Sequence, residues 1–89
     1  MKTNVEHVKP MRVYQCARIM AFFEWIGGDH SIGEVAHALG MEKSTVSARV
    51  NFMLNTTHEL VVKPKRKDRR SGINVRPVGL PVTQRDLFQ

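Results

Sequence analysis

The sequence predicts a small α+β domain, mainly helical, in which three helices are followed by a two-stranded β-hairpin. Apolar residues recur at helical spacing in three stretches between Met11 and Asn55. From Glu59 onward the pattern changes to β-branched and alternating residues, which are typical of strands. A chain of 89 residues makes one domain with a modest core, so a second domain and a deep multilayered cleft are excluded.

The first helix is predicted over Met11–Ile26, a stretch that follows Pro10 and ends before Gly27. Proline is favoured at the first helical position, and glycine ends helices. The helix carries an apolar stripe that consists of Val13, Cys16, Ile19, Met20, Phe23 and Ile26. We interpret this stripe as facing the core, with Cys16 as a core thiol rather than a redox sensor.

The second helix is predicted over Ile32–Leu39. Ser31 and Glu34 have the spacing of a capping box, in which each side chain binds a backbone N–H of the first helical turn. Gly40 can adopt the left-handed conformation that ends a helix. The third helix follows within a few residues and reaches Asn55, with its buried side formed by Val46, Val50, Met53 and Leu54.

The spacing of small and apolar residues across these two helices predicts a helix-turn-helix. Gly40 supplies the turn, Ala36 lies four residues before it where the helices cross, and Val46 lies six residues after it in the core. The remaining core positions of the unit are filled by Val35, Leu39, Met41 and Val50.

The hairpin is predicted from two strands, 59–63 and 73–78, joined by a charged turn that ends at Gly72. Pro77 and Pro81 are expected to end the pairing, because proline cannot donate to a ladder. The predicted organisation is an N-terminal arm (1–10), a folded domain (11–78) and a C-terminal tail (79–89).

The formal net charge of +6 is unevenly distributed along the chain. Residues 1–42 carry a net charge of −1, whereas residues 43–89 carry +7. Seven of the ten cations in the second half lie between Lys63 and Arg76. Such an asymmetry favours a surface that binds a polyanion.

Other classes of function have no support in the sequence. Its four histidines are scattered, its single cysteine cannot form an internal disulfide, and no stretch is long and apolar enough for a membrane span. No phosphate loop, nucleophile motif or paired carboxylates occur. We therefore predict no catalytic residue, no metal, no cofactor, no membrane partner and no small-molecule ligand. The expected location is cytoplasmic, in a prokaryotic or phage-infected cell and associated with the nucleoid.

Two segments, 31–54 and 60–78, make the chain resemble the winged helix-turn-helix superfamily, and most closely compact MarR-type or phage-type transcriptional regulators. Asp68-Arg69-Arg70 is similar to the Asp-x-Arg pair near the wing tip of MarR-type proteins. The resemblance implies that the third helix is a recognition helix in the major groove of DNA. It also implies that the wing (60–78) reaches the flanking minor groove and that Asp68 orients Arg70.

The candidate DNA-binding residues follow from this placement. Small polar side chains can reach base edges, an alanine can contact a thymine methyl, and cations neutralise phosphates. On the recognition helix the candidates are Lys43, Ser44, Thr45, Ser47, Ala48, Arg49 and Asn51. On the wing they are Lys63, Lys65, Arg66, Lys67, Arg69, Arg70 and Arg76, with Asp68 as the wing-orienting residue.

The expected function is sequence-specific binding of double-stranded DNA by a transcriptional regulator. A homodimer is expected to form through Met11, Phe22 and Trp25 of the first helix. Two alternatives remain open: a winged-helix module that binds a host polymerase or nucleoid protein, and a DNA-binding accessory protein of replication or excision.

Overall fold

The computed structural model describes the backbone of residues 2–81 and the side chains of residues 11–81. Within this range it confirms a mainly helical α+β domain, in which three helices precede an antiparallel hairpin. The helices are α1 (Lys2–Ile26), α2 (Ile32–Leu39) and α3 (Lys43–Asn55). The strands are β1 (Val61–Val62), β2 (Arg66–Lys67), β3 (Asn74–Val75) and β4 (Val78–Gly79).

Helix α1 is longer than its sequence pattern predicts. It begins at Lys2 instead of Met11, so the segment predicted to be an N-terminal arm is helical and Pro10 lies inside the helix. A proline removes only its own N–H from the helical ladder, at a cost, and the chain on either side can remain helical. The residues before it contain no glycine that would end the helix.

The buried face of α1 is narrower than predicted. Ile19 and Phe23 are completely buried, and Cys16 and Met20 pack against the core. Val13 and Ile26 are exposed, because they lie at opposite edges of the predicted stripe and project past the elements that cover its centre. Phe22, predicted to be part of a free face, is instead half-buried, with its ring 4.8 Å from that of His30 and 5.4 Å from that of Phe23.

Helix α2 has the predicted bounds and the predicted caps. The Ser31 side chain accepts from the Glu34 N–H while the Ser31 N–H donates to the Glu34 carboxylate. Gly40 ends the helix in the left-handed region, at φ 64°. The Arg18 guanidinium donates to the Leu39 carbonyl at 2.9 Å, which satisfies one of the free carbonyls at this helix end.

One contiguous core joins the three helices to the base of the hairpin. On α3 the predicted residues Val46, Val50 and Met53 are buried, and Leu54 packs at the edge of the core. The complete set of buried apolar residues is Ile19, Phe23, Val35, Ala36, Val46, Val50, Met53, Leu60 and Val78. Leu60 and Val78 fix the two ends of the hairpin to the helical layer, which sets the position of the hairpin relative to α3.

The hairpin contains two short ladders rather than one long one. At its base β1 pairs with β4, with Val61 opposite Gly79, and further out β2 pairs with β3, with Arg66 opposite Val75. Pairing therefore continues past Pro77, contrary to the prediction. Pro64 and Pro77 lie between the ladders, because neither can donate a ladder hydrogen bond.

The tip of the hairpin is also tighter than predicted. The sequence pattern predicts a charged turn over residues 63–72, but Arg66 and Lys67 form a strand. The turn itself is closed by hydrogen bonds from the Asp68 N–H to Ile73 O at 2.8 Å and from the Gly72 N–H to Asp68 O at 2.9 Å. The basic segment is thus ordered by strand pairing rather than held as an open loop.

A third backbone segment joins the base of the hairpin. His30, directly before α2, exchanges two hydrogen bonds with Val78, at 2.9 and 3.0 Å. Strand β4 carries the chain one residue past the predicted domain end at residue 78, and Leu80 packs against the core. The rest of the predicted tail, residues 82–89, lies outside the described part of the chain.

The left-handed glycine that ends α2 gives a test of this geometry. Gly40→Ala should lower the free energy of unfolding by about 1–2 kcal/mol, because a side chain is strained at φ 64°. The matched control is Gly33→Ala in the first turn of the same helix, where a Cβ would meet its nearest atoms at 3.9 Å. That change should be neutral or stabilising. Urea denaturation measures both, and an equal loss at the two sites would contradict the assignment of Gly40.

Candidate nucleic-acid interface

A cluster of charged and polar side chains joins the start of α2 to the hairpin. Its centre is Glu34, the third residue of α2, whose side chain is 6% exposed. The Arg66 guanidinium contacts both oxygens of this carboxylate, with Nη2 2.7 Å from Oε1 and Nη1 3.1 Å from Oε2. The Arg69 N–H donates to Oε2 at 2.7 Å, and its Nη1 lies 3.2 Å from Oε1. The members of this polar cluster are Asp29, Ser31, Glu34, Arg66, Asp68 and Arg69.

Asp29 extends the polar cluster on the loop before α2. Its carboxylate accepts from Arg66 Nε at 3.2 Å, and its backbone carbonyl accepts from Arg66 Nη2 at 2.9 Å and Arg69 Nη1 at 3.0 Å. The two arginines of the hairpin therefore bind both the side chain and the backbone of the loop. Two-pronged contacts between guanidinium and carboxylate groups are among the stronger charge-assisted hydrogen bonds in proteins.

Asp68 holds the hairpin to α2 and does not contact the Arg70 side chain in the way the resemblance implies. Its Oδ2 accepts a hydrogen bond from the hydroxyl of Ser31, the N-cap of α2. Its Oδ1 accepts from the backbone N–H groups of Arg70 at 2.7 Å and Ser71 at 3.0 Å. Asp68 therefore fixes the backbone of the turn, and the Arg70 side chain is left exposed to solvent.

These contacts keep the carboxylates ionised. Burial acts to raise the pKa of Glu34, but the hydrogen bonds from Arg66 and from the Arg69 and Ser31 N–H groups outweigh it and lower that pKa to about 2. The hydrogen bond from the Ser31 hydroxyl, with those from two turn N–H groups, lowers the pKa of Asp68 to about 2. Both groups therefore remain charged well below neutral pH.

Two of the predicted wing cations, Arg66 and Arg69, belong to the polar cluster, and their role as DNA contacts stays a prediction. Arg66 is only 22% exposed, and Arg69, although 55% exposed, has its guanidinium paired with Asp29 and Glu34. A strand alternates its faces, so Arg66 and Asp68 point together toward α2 while Lys65 and Lys67 point away. A contact between either arginine and a phosphate would require breaking its ion pairs.

The other predicted cations of the hairpin have different surroundings. Lys63 is half-buried, and its aliphatic stem crosses Gly79 so closely that a Cβ there would lie 3.0 Å from Lys63 Cε. Four cations are exposed and make no ion pair among residues 11–81, namely Lys65, Lys67, Arg70 and Arg76. These four are the wing cations that are positioned to meet an external anion.

Helix α3 presents an exposed face of small polar residues. Ser44, Ala48 and Asn51 lie four and three residues apart on one side of the helix, and all three are exposed, as is Lys43. Thr45 and Ser47 are half-buried beside this face. With no bulky side chain on its first turns, the surface can approach another molecule closely.

Arg49 departs from the predicted face. It is half-buried, and its Nε is buried without a hydrogen-bond partner among the described residues. Its charge acts on Cys16 of α1, where burial raises the pKa of the thiol and Arg49 partly opposes that shift. Position 49 lies between the exposed face of α3 and its packed face. The Arg49 side chain is therefore turned toward α1. The role of Arg49 as a DNA contact stays a prediction.

A groove of about 310 Å³ connects the two exposed surfaces. Lys43 at the start of α3 and Arg76 on the hairpin both line it, with Gly33 of α2 between the two elements. The Lys43 ammonium lies over the first turn of α2, 3.9 Å from where a Cβ on Gly33 would be. The structure thus brings one exposed cation of the hairpin, Arg76, and the start of α3 into one groove.

The sequence pattern missed part of the polar cluster. Asp29 was not a candidate, and Glu34 was interpreted only as a helix cap. The spacing of Arg66 and Asp68, two residues apart, puts them on one face once the segment forms a strand, but the segment was predicted to be a charged turn. Their partners are also distant along the chain: Glu34 lies 32 residues from Arg66, and Ser31 lies 37 residues from Asp68.

The chain was compared with protein-family models, curated proteins and solved structures, and none of them matches it. Among the described residues, no helix combines the length and the apolar character needed to cross a membrane. In the same part of the chain, no three His, Cys, Asp or Glu side chains are grouped to hold a metal ion.

The lowered pKa values predict how stability depends on pH. Glu34 has a folded-state pKa near 2, below the ordinary value of about 4.3, so it stabilises the fold above about pH 4 and loses that contribution as the pH falls toward 2. Glu34→Gln should lower the free energy of unfolding by about 1–3 kcal/mol at pH 7. The difference from the wild-type protein should shrink toward pH 2.

Urea denaturation at pH 7 and at low pH measures this difference. The control is Glu24→Gln, which replaces an exposed glutamate of α1 and should leave stability at pH 7 unchanged. If Glu34→Gln were as stable as the wild-type protein at pH 7, Glu34 would not hold the hairpin.

Proposed function

We propose that this protein is a sequence-specific regulator of transcription that binds double-stranded DNA as a winged helix-turn-helix. In this proposal α3 is the recognition helix and enters the major groove. The hairpin (61–79) is the wing and contacts the adjacent minor groove or its phosphates. The observation that carries the proposal is the groove that Arg76 of the hairpin shares with Lys43, at the start of the exposed polar face of α3. Lys65, Lys67 and Arg70 of the hairpin are also exposed and make no ion pair among the described residues.

The residues of the interface have two roles under this proposal. Lys43 and the exposed wing cations neutralise phosphates, an interaction that sets affinity and position without reading sequence. Ser44 and Asn51 face outward from the first turns of α3, where recognition helices contact base edges. Ala48 lies between them and fits against a thymine methyl group. With about five phosphate contacts, the slope of log affinity against log salt should be about −4.5.

Salt-titrated binding to duplex DNA is the primary test. Anisotropy of a labelled random duplex should rise at low salt, and selection from a randomised duplex pool should then enrich a defined site. A protein without measurable duplex affinity at low salt would contradict the proposal and favour the protein-interaction alternative. Affinity without an enriched site would favour a general DNA-binding accessory role.

The distinction between exposed and paired arginines can be tested directly. Arg70→Ala should weaken binding to all duplexes and reduce the magnitude of the salt slope by about 0.9, because one phosphate contact is lost. Arg66→Gln removes a charge of the same sign from the same hairpin, but from within the polar cluster. It should lower the midpoint of thermal unfolding while leaving the slope of the folded protein unchanged. If Arg66→Gln reduced the salt slope and Arg70→Ala left it unchanged, Arg66 rather than Arg70 would contact DNA.

Asn51 is expected to read sequence. Asn51→Ala should reduce discrimination between the selected site and random DNA by about 1–3 kcal/mol, with little change in non-specific affinity. Asn55→Ala is the matched control, because it removes an exposed amide from the C-terminal end of the same helix. Competition binding measures both variants. An equal loss of affinity for the specific and the random duplexes would show that Asn51 does not contribute to sequence specificity.

A further inference from the structure

The outer face of α1 carries large apolar side chains that nothing in the described part of the chain covers. Met11 and Tyr14 are more than half exposed, and Trp25 is 87% exposed. They lie on the side of the helix opposite Ile19 and Phe23, which are buried against α2 and α3. Large exposed apolar side chains gathered on one side of a helix favour an interaction site.

The residues of this face follow the spacing of a helix-pairing seam. Steps of three and four residues alternate along it, which is the pattern of the contact positions in a pair of packed helices. The members of the seam are Met11, Tyr14, Arg18, Ala21 and Trp25. The pattern fits a second helix better than a flat or globular surface.

We propose that the partner is a second copy of this chain, with the two α1 helices antiparallel and the two-fold axis beside Arg18. Met11 then lies opposite Trp25 of the partner subunit, and Tyr14 lies opposite Ala21 of the partner subunit. Each layer pairs a large side chain with a small or flexible one, so the helices can approach evenly. A parallel pair would place two tryptophans together in one layer and two alanines together in another.

The charge at the centre of the seam is compatible with this pairing. Arg18 would otherwise meet its own copy across the axis. Its Nη2, however, donates to the Leu39 carbonyl at 2.9 Å, which directs the guanidinium to the C-terminal end of α2. That helix end carries a partial negative charge, which further offsets the repulsion.

The large apolar side chains of the seam supply about half of the area that such a contact needs. A stable interface buries about 800 Å² on each partner. At their exposed fractions Tyr14 and Trp25 alone offer roughly 300 Å², and Met11 adds to this. The seam from Met11 to Trp25 is about 21 Å long, which gives the line of contact. The contact leaves α3 uncovered and does not depend on DNA binding.

Trp25 is the single tryptophan of the chain and reports on the interface without a label. Sedimentation equilibrium should show dimers whose fraction rises with concentration, and tryptophan emission should shift to shorter wavelength over the same range. Tyr14→Glu should weaken self-association at least tenfold. The control is Ile73→Glu, which charges a residue that is 67% exposed on the hairpin and should not affect it. A constant mass of one chain, or equal effects of the two variants, would overturn the proposal.

Disulfide trapping tests the antiparallel orientation. In a Cys16→Ser background, an equimolar mixture of Met11→Cys and Trp25→Cys chains should form a mixed disulfide dimer under copper–phenanthroline oxidation. Either chain alone should not, because identical positions would lie about 21 Å apart along the seam, beyond the reach of a disulfide. Dimers cross-linked from one variant alone would overturn this orientation. Both experiments contain no DNA, so their outcome is independent of the proposal for duplex binding.

Discussion

The carboxylate of Glu34 is the group on which the arrangement of this protein depends. It closes the first turn of α2 through the Ser31 N–H and at the same time binds Arg66 and Arg69 of the hairpin. A carboxylate with so little exposure would be costly without partners, and its hydrogen bonds offset that cost. Because one residue serves both the helix and the hairpin, the start of α2 and the basic segment are held at a fixed distance. The Ser31–Asp68 hydrogen bond repeats the same link one step further along the turn.

This arrangement changes how the positive charge of the chain is understood. The excess of cations in the second half of the sequence does not form one uniform patch. Arg66 and Arg69 are oriented inward by strand alternation and neutralise Asp29 and Glu34, both from the nearly neutral first half. The cations of the other strand face remain exposed. The same segment thus contains two sets of cations. One set fixes the hairpin to α2, and the other is available to an external anion.

The sequence patterns were sufficient for features that depend on neighbouring residues. The capping box, the left-handed Gly40 and the bounds of α2 are local, and the core positions Val46 and Val50 follow from helical periodicity. Features that depend on distant partners were predicted less well. The bonds of Arg66 to Asp29 and the inward turn of Arg49 require knowing which elements pack together. The two-part hairpin was missed because a proline bars only its own N–H from pairing, and the strands resume beyond it.

The central claim is that the polar cluster makes the hairpin and α2 one cooperative unit. Native-state hydrogen exchange measures this directly, because the Asp68 N–H is bonded within the hairpin and the Val35 N–H within the first turn of α2. The account predicts that the free energies of opening at these two amides agree within about 1 kcal/mol and decrease together in urea. A much smaller free energy of opening at the Asp68 amide than at the Val35 amide would contradict the claim, because the hairpin would then unfold while α2 stayed protected.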